Sequence, residues 1–283
     1  MMKSLRMKAK ASNGFTYLFL TALSFIWLLP IAWVIMTSFR GEKGAFVSYV
    51  IPKTWTLDNY VKLFTETGLF NFPRWFMNTL FVAVISCVIS TVIVLSTSYA
   101  FSRLKFKMRK PMMNVILVIG MFPGFMSMLV IYHVLKLIGL DQSLYALILV
   151  YSGGAAMGYY ISKGFFDTIP KAIDEAAIID GASRAQIFRK ITLPLSQPII
   201  IYTVLMSFLA PWVDFVFASF IMRDSYNNYT VAVGLFEMLK RENIHTYFTQ
   251  FCAAAVIIAI PITLLFIFMQ KYYVEGVTGG SVK

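Results

Sequence analysis

Charge is scarce in this chain: 13% of its 283 residues are Asp, Glu, Lys or Arg, where a soluble domain carries about a quarter. A globule with an ordinary solvated surface is therefore excluded. Cysteine is equally sparse. Cys87 and Cys252 both sit inside apolar runs, where a thiol behaves as a small hydrophobe, so they support neither a disulfide framework nor a metal site and say nothing of redox compartment. His133 and His245 lie near the edges of apolar runs or in the segments between them, without acidic neighbours at ligand spacing. The clustered side chains that a metal centre or a membrane-embedded enzyme requires are thus missing, and no catalytic residue is nominated. No G-x-x-x-x-G-K-[ST] phosphate loop occurs, so the chain by itself binds no ATP in that manner. Asp214 is the one acid well inside an apolar run, and no internal repeat stands out. A secondary carrier would show several such acids, or paired broken helices in related halves.

What fills the chain instead is apolar. Hydrophobic residues make up 59%, with 26 Phe and a mean hydropathy of +0.73, which predicts an all-α polytopic membrane protein. A hydrocarbon core about 30 Å thick takes roughly 20 apolar residues as helix. Six segments qualify, near 15–38, 77–100, 113–134, 144–162, 198–222 and 249–270, and the whole of 1–283 reads as a single transmembrane domain. Lys3, Arg6, Lys8 and Lys10 precede the first, but its apolar run exceeds a signal-peptide core and no clear small-residue cleavage site follows, so it reads as a retained anchor. Sixteen of the 25 basic residues lie in the N-terminal tail, 101–112, 163–197 and the C-terminal tail, against nine in 39–76, 135–143 and 223–248. The bias predicts that both termini are cytoplasmic. It also accounts for the net charge of +12 through topology and lipid headgroups, without nucleic acid. The run Arg103, Lys105, Lys107, Arg109, Lys110 then reads as a cytoplasmic stop signal.

The segment 163–197 is long for a connection and has helical punctuation of its own. Thr168 is placed to cap a helix over about 170–180, with Pro170 in its first turn and Gly181 as its stop. Ser183 with Gln186 three residues on predicts a capping box for a second helix, which Pro194 closes before Pro198 opens the next span. Over 164–197 Lys171, Arg184, Arg189 and Lys190 balance Asp167, Asp174, Glu175 and Asp180. Ile173, Ala176, Ala177, Ile187, Phe188 and Ile191 recur at helical spacing. By spacing alone this is either a hairpin that contacts a protein partner or an interfacial helix covering the ends of neighbouring spans.

Glu175-Ala176-Ala177, three residues, Gly181, nine residues, then Ile191-Thr192-Leu193-Pro194 resembles the EAA loop of ABC importer permeases. With six spans and a tail reading Gln270-Lys271-Tyr272-Tyr273-Val274-Glu275-Gly276-Val277-Thr278-Gly279-Gly280, nearly the whole chain is similar to the smaller permease subunit of carbohydrate importers of the maltose/maltodextrin type. The resemblance implies an inner-membrane protein of a prokaryote that forms half of an alternating-access path. Its partners would be a second, related permease, two copies of an ABC ATPase that bind ATP and Mg, an extracytoplasmic sugar-binding protein, and membrane lipid. The coupling helices between spans four and five would meet the ATPase through Glu175, Ala176, Ala177, Gly181, Ile187 and Phe188. Tail residues Glu275, Gly279 and Gly280 would reach between the ATPase subunits.

The same resemblance places a binding-protein loop at Leu239, Lys240, Arg241, Glu242 and Asn243, for which the alternative is a charged surface loop without such a role. Asp214 and Tyr151 are candidates for the path or the permease seam, although Val213 replaces the polar residue usual beside that acid. Maltodextrin is the favoured cargo. Galacto-oligosaccharides, raffinose-type sugars, polyols or glycerol phosphate stay open, as does a secondary transporter.

Overall fold

In a computed structural model the backbone is described for residues 2–154 and 156–279 and the side chains for 13–154 and 158–270. Glu275, Gly279 and Gly280 therefore lie outside the residues whose side chains are described. The chain is all-α as expected. Among the described residues the only β pairing is an isolated antiparallel bridge between Arg40 and Trp55. The helices run α1 (Met2–Ser38), α2 (Asp58–Thr65), α3 (Phe72–Arg103), α4 (Arg109–Gly120), α5 (Gly124–Leu137), α6 (Leu144–Gly153), α7 (Ala156–Thr168), α8 (Lys171–Ile179), α9 (Arg184–Ile187), α10 (Leu193–Leu195), α11 (Gln197–Val213), α12 (Val216–Met222), α13 (Val231–Leu239) and α14 (Ile244–Gly279).

Among the described residues four stretches are long and apolar enough to cross a membrane: Asn13–Ser38, Phe72–Arg103, Leu144–Thr168 and Ile244–Gln270. The two other expected spans are bent. Span three breaks between α4 and α5 by 102°, where Pro123 adopts ψ 122° and starts a new helix instead of continuing the old one. Span five, expected as one helix over 198–222, is a correction: α11 ends at Asp214, whose ψ of 99° leaves the helical region. The carboxylate Oδ1 then accepts the Phe217 N–H at 2.9 Å and so begins α12. Within the stretch 223–248, Val231–Leu239 is helical.

The residues divide into two compact units, Met1–Asn71 with Glu237–Ile257, and Phe72–Phe236 with Ile258–Lys283. In the first, buried Asn59 donates to the carbonyls of Ser38 and Arg40 and accepts from Thr249 Oγ1 at 2.9 Å, so one amide joins the exit of α1, α2 and α14.

In the second unit α3 is the central post, packed by α6, α7 and α11. Its contacts use small and hydroxylated side chains, which let helices approach closely in a medium where apolar surface gives no driving force. Ser207 Oγ meets Ser90 Oγ at 3.2 Å, Cys87 Sγ donates to the Val204 carbonyl, and Ser98 Oγ to that of Tyr159. At one end of the post Asn78 donates to the carbonyls of Asn227 and Tyr229, and Thr79 Oγ1 accepts the Val231 N–H at 2.8 Å. The start of α13 is pinned there. At the other end Leu95, Tyr99, Phe166, Ile169 and Ile199 form a buried cluster.

Gly234 on α13 lies flat on Trp75 of α3, and a Cβ at that position would fall 2.1 Å from the indole ring. Gly234→Ala is therefore expected to destabilise the protein by about 1–3 kcal/mol. The check is its thermal midpoint in detergent, which should fall, with Gly68→Ala, a site with open space around it, as the unaffected control.

Candidate functional site

The polar hairpin after span four is built by local rules. Lys171–Ile179 starts directly after Pro170, not from Thr168. Thr168 closes α7 and its hydroxyl donates back to the Phe165 carbonyl at 2.7 Å, which corrects the expected cap. Gly181 is the stop: at φ +81° its N–H donates to Ile178 and the Ala182 N–H to Ala177, the two bonds of a Schellman turn. The second helix opens with the expected capping box, Ser183 N–H to Gln186 Oε1 at 2.7 Å and Gln186 N–H to Ser183 Oγ at 3.3 Å. It continues through a π-helical turn, Phe188–Thr192, into α10. Only then does the chain bend by 83° into span five.

The residues singled out in this hairpin divide by direction. Glu175, Ala176 and Gly181 are exposed, and Ala177 is buried. Ile187 is fully buried, and half-buried Phe188 packs its ring on Tyr99 with centroids 4.6 Å apart. These two side chains hold the hairpin against the spans. The outward face carries an apolar residue that sequence reasoning passed over, Ile179, at 86% exposed. Beside it a shallow notch of about 240 Å³ is lined by Asp180, Gly181, Ala182, Gln186, Lys190 and Ile191. The arrangement offers a partner an acid, a glycine turn and an aliphatic knob on one surface.

What fixes the hairpin is Arg103, the last residue of α3. Its guanidinium Nη2 donates to the Phe166 and Ile169 carbonyls, both at 2.8 Å. Its Nε lies 3.3 Å from Asp174 Oδ2, and the two side chains are 2% and 7% exposed. Ser102 Oγ donates to Asp167 Oδ1 at 2.6 Å and Tyr99 OH to the Arg184 carbonyl at 3.3 Å. The sequence marked Arg103 as one of five basic residues in a stop signal. Burial separates it from the other four, and no local pattern announces that.

Deeper among the spans, a cavity of about 520 Å³ lies between α3, α6, α7 and α11, with Ser90, Tyr151, Gly158, Thr203 and Ser207 in its wall and, among the described residues, no charged one lining it. The structure brings the two intramembrane candidates together at its edge, Tyr151 OH donating to Asp214 Oδ2 at 2.9 Å. Asp214 thus receives one hydroxyl and one backbone N–H. In the first unit, Leu239–Asn243 forms a tight turn. Lys240 pairs with Glu237 at 2.7 Å, Asn243 Nδ2 donates to the Glu237 carbonyl, and Arg241 and Glu242 are exposed. Among the described residues no group of three or more His, Cys, Asp or Glu is placed to hold a metal.

Residues 92–279 match the family described as binding-protein-dependent transport system inner membrane component. The chain belongs to this family. It is a transport permease component, not an enzyme. It is 36% identical to the galactooligosaccharides transport system permease protein of Bacillus subtilis (strain 168) and 37% identical to the maltodextrin transport system permease protein of the same strain, covering 95% of both chains in each case. A chain in the crystal structure of a bacterial ABC transporter involved in the import of the acidic polysaccharide alginate shares the fold, with TM-score 0.75 at 21% identity over 93% of this chain and 97% of that one. The family match spans the hairpin, the cavity wall from Val94 onward and the turn at Leu239–Asn243.

Gly181 is the residue at which the permease's hairpin reverses, and a β-branched side chain at φ +81° carries a steric cost of about 1–2 kcal/mol or more. Gly181→Val is expected to open the Schellman turn. Hydrogen exchange at residues 178–186 in detergent should accelerate while exchange in α3 stays unchanged.

Proposed function

We propose that this chain is one permease subunit of an ATP-driven importer of neutral oligosaccharides, forming half of an alternating-access path. The observation that carries the reading is the hairpin: a polar, Schellman-capped reversal, locked to the ends of spans two and four, that turns Glu175, Ala176, Ile179 and Gly181 outward. Such a face suits a cytoplasmic ATPase. Glu175 supplies the charged contact, with an arginine of the ATPase as its natural partner, and Ala176 and Gly181 admit close packing. Two ATPase copies would bind ATP and Mg. A second, related permease would complete the path, and a sugar-binding protein on the outer side would meet the turn at Leu239, Lys240, Arg241, Glu242 and Asn243.

Both termini and the hairpin are assigned to the cytoplasm of a prokaryotic cell, the excess of Lys and Arg on that side being the ground. The tail residues Glu275, Gly279 and Gly280 are assigned to the ATPase side as well.

Maltodextrin is the favoured cargo and galacto-oligosaccharide the second reading, since relatives named for each are almost equally similar. The cavity supports a neutral glycan over an anionic one. Among the described residues its wall offers hydroxyls and aromatic faces and no cation, and Asp214 at the edge would repel a uronate or a phosphate. Tyr151 and Asp214 are assigned to this path. Two bent spans meet part of the mark set for a secondary carrier, but the relatives similar over 95% of the chain carry more weight.

Reconstitution with the second permease, an ABC ATPase and a sugar-binding protein tests the reading. ATP hydrolysis should rise with neutral α-glucans or galacto-oligosaccharides and not with acidic ones. Glu175→Lys should leave the permease in the membrane while ATPase recovery on purification falls; full recovery removes Glu175 from the contact. A cysteine at Ser183, Ser183→Cys, should react with impermeant maleimide only from the cytoplasmic side, and labelling of intact cells from outside would reverse the orientation.

A further inference from the structure

Arg103 joins three elements with one side chain. It closes α3, its Nη2 bridges the carbonyls of Phe166 and Ile169 at the end of α7, and its Nε faces Asp174 in the first turn of α8. Carbonyls at a helix C-terminus lack intrahelical donors and carry the negative end of the dipole, so a cation there is well placed. The first turn of α8 carries the opposite polarity, which suits the Asp174 carboxylate. One guanidinium therefore reads the end of span four and the start of the hairpin together.

A lysine has the charge but lacks the planar fork that serves two carbonyls and a carboxylate at once. Around this point Ser102 grips Asp167 near the end of α7 and Tyr99 grips the Arg184 carbonyl, so with Arg103 on Asp174 the last turns of α3 hold span four and both arms of the hairpin. Glu175 and Asp180 are exposed, whereas Asp174 is turned inward and buried.

The pairing is also incomplete. Arg103 Nε and Nη1 and Asp174 Oδ1 are buried and have no hydrogen-bond partner among the described residues, so the 3.3 Å contact with Asp174 Oδ2 is an ion pair without a hydrogen bond. Buried polar atoms left so are costly, and a joint selected for stability alone is better built from apolar side chains. A monodentate pair with a spare donor on one side and a spare acceptor on the other keeps its charge contact while the two helices rotate by a small amount.

We infer that the buried Arg103–Asp174 pair is the positioning joint that makes the hairpin and spans two and four a single lever, so that displacement of the hairpin is transmitted to the spans. The inference rests on the hairpin being the ATPase contact. Arg103 and Asp174 act through the hairpin; neither touches ATP or sugar.

The test uses the full importer in proteoliposomes and reads three quantities: ATPase recovered with the permease, ATP hydrolysed, and sugar transported. Asp174→Asn keeps the shape of the side chain and removes its charge. It should retain the ATPase in the complex while sugar transported per ATP hydrolysed falls about tenfold. Asp174→Glu should restore most of that ratio, and Arg103→Lys should reproduce the loss. A transport-to-hydrolysis ratio that is unchanged in Asp174→Asn overturns the inference. So does a loss of transport that follows loss of the assembled complex in proportion, because the pair would then be a folding clamp. If the unaltered chain recovers no ATPase, the reading of the hairpin itself fails, and this result is separable from the other two.

Discussion

A guanidinium buried at the end of the second span decides where the rest of that end can go. Arg103 cannot shed its charge, so once it is enclosed the chain must bring oxygen to it, and it does so from two directions, α7 and α8. The start of the hairpin is thereby held to within a hydrogen-bond length of span two. The apolar side of the same arrangement is the cluster of Leu95, Tyr99, Phe166, Ile169 and Ile199, with Phe188 and Leu193 packed against it. Ile187 and Phe188 belong to that inward half. The outward half is left to small, charged and aliphatic residues, among them Gly181, which also makes the turn.

This division explains how much of the hairpin could be read from its letters. Gly181 and the Ser183–Gln186 box act within one turn of chain, and local signals of that kind survive folding, so both stand where their spacing put them. Thr168 did not become a cap because the residues before it already prolong α7 to Thr168, and its hydroxyl is spent on the Phe165 carbonyl. Arg103 was not legible as anything but charge. Its partners are 63, 66 and 71 residues away, and only the fold brings them together.

The spans show the same contrast. Length and hydropathy located them, and the break in span three falls at Pro123, because proline lacks the N–H that the next turn needs. The break in span five was hidden, since the apolar run passes Asp214 without interruption. The acid ends one helix and starts another by accepting the Phe217 N–H, and Tyr151 satisfies its second oxygen from span four. Membrane helices tolerate such an interruption when side chains satisfy the freed polar groups. The acid singled out as a path candidate is thus also what interrupts span five, beside a cavity whose described lining carries no charge.

The two broken spans touch beyond their breaks. Tyr132 on α5 packs edge-on against Phe220 on α12, centroids 5.2 Å apart, and Arg223 at the end of α12 lies over the Tyr132 ring at 4.5 Å. The second halves of spans three and five therefore meet each other, at the end of the unit away from Arg103. The Arg103 end of spans two and four is tied by charge, hydrogen bonds and a buried core, whereas the second halves of spans three and five meet each other through rings. A sheared ion pair in a low-dielectric interior resists displacement far more than aromatic faces do, since each ring contact contributes only about 0.5–1.5 kcal/mol and tolerates sliding. Force applied to the hairpin should accordingly move the tied end as a body, and the breaks at Pro123 and Asp214 are where the difference in motion would be absorbed.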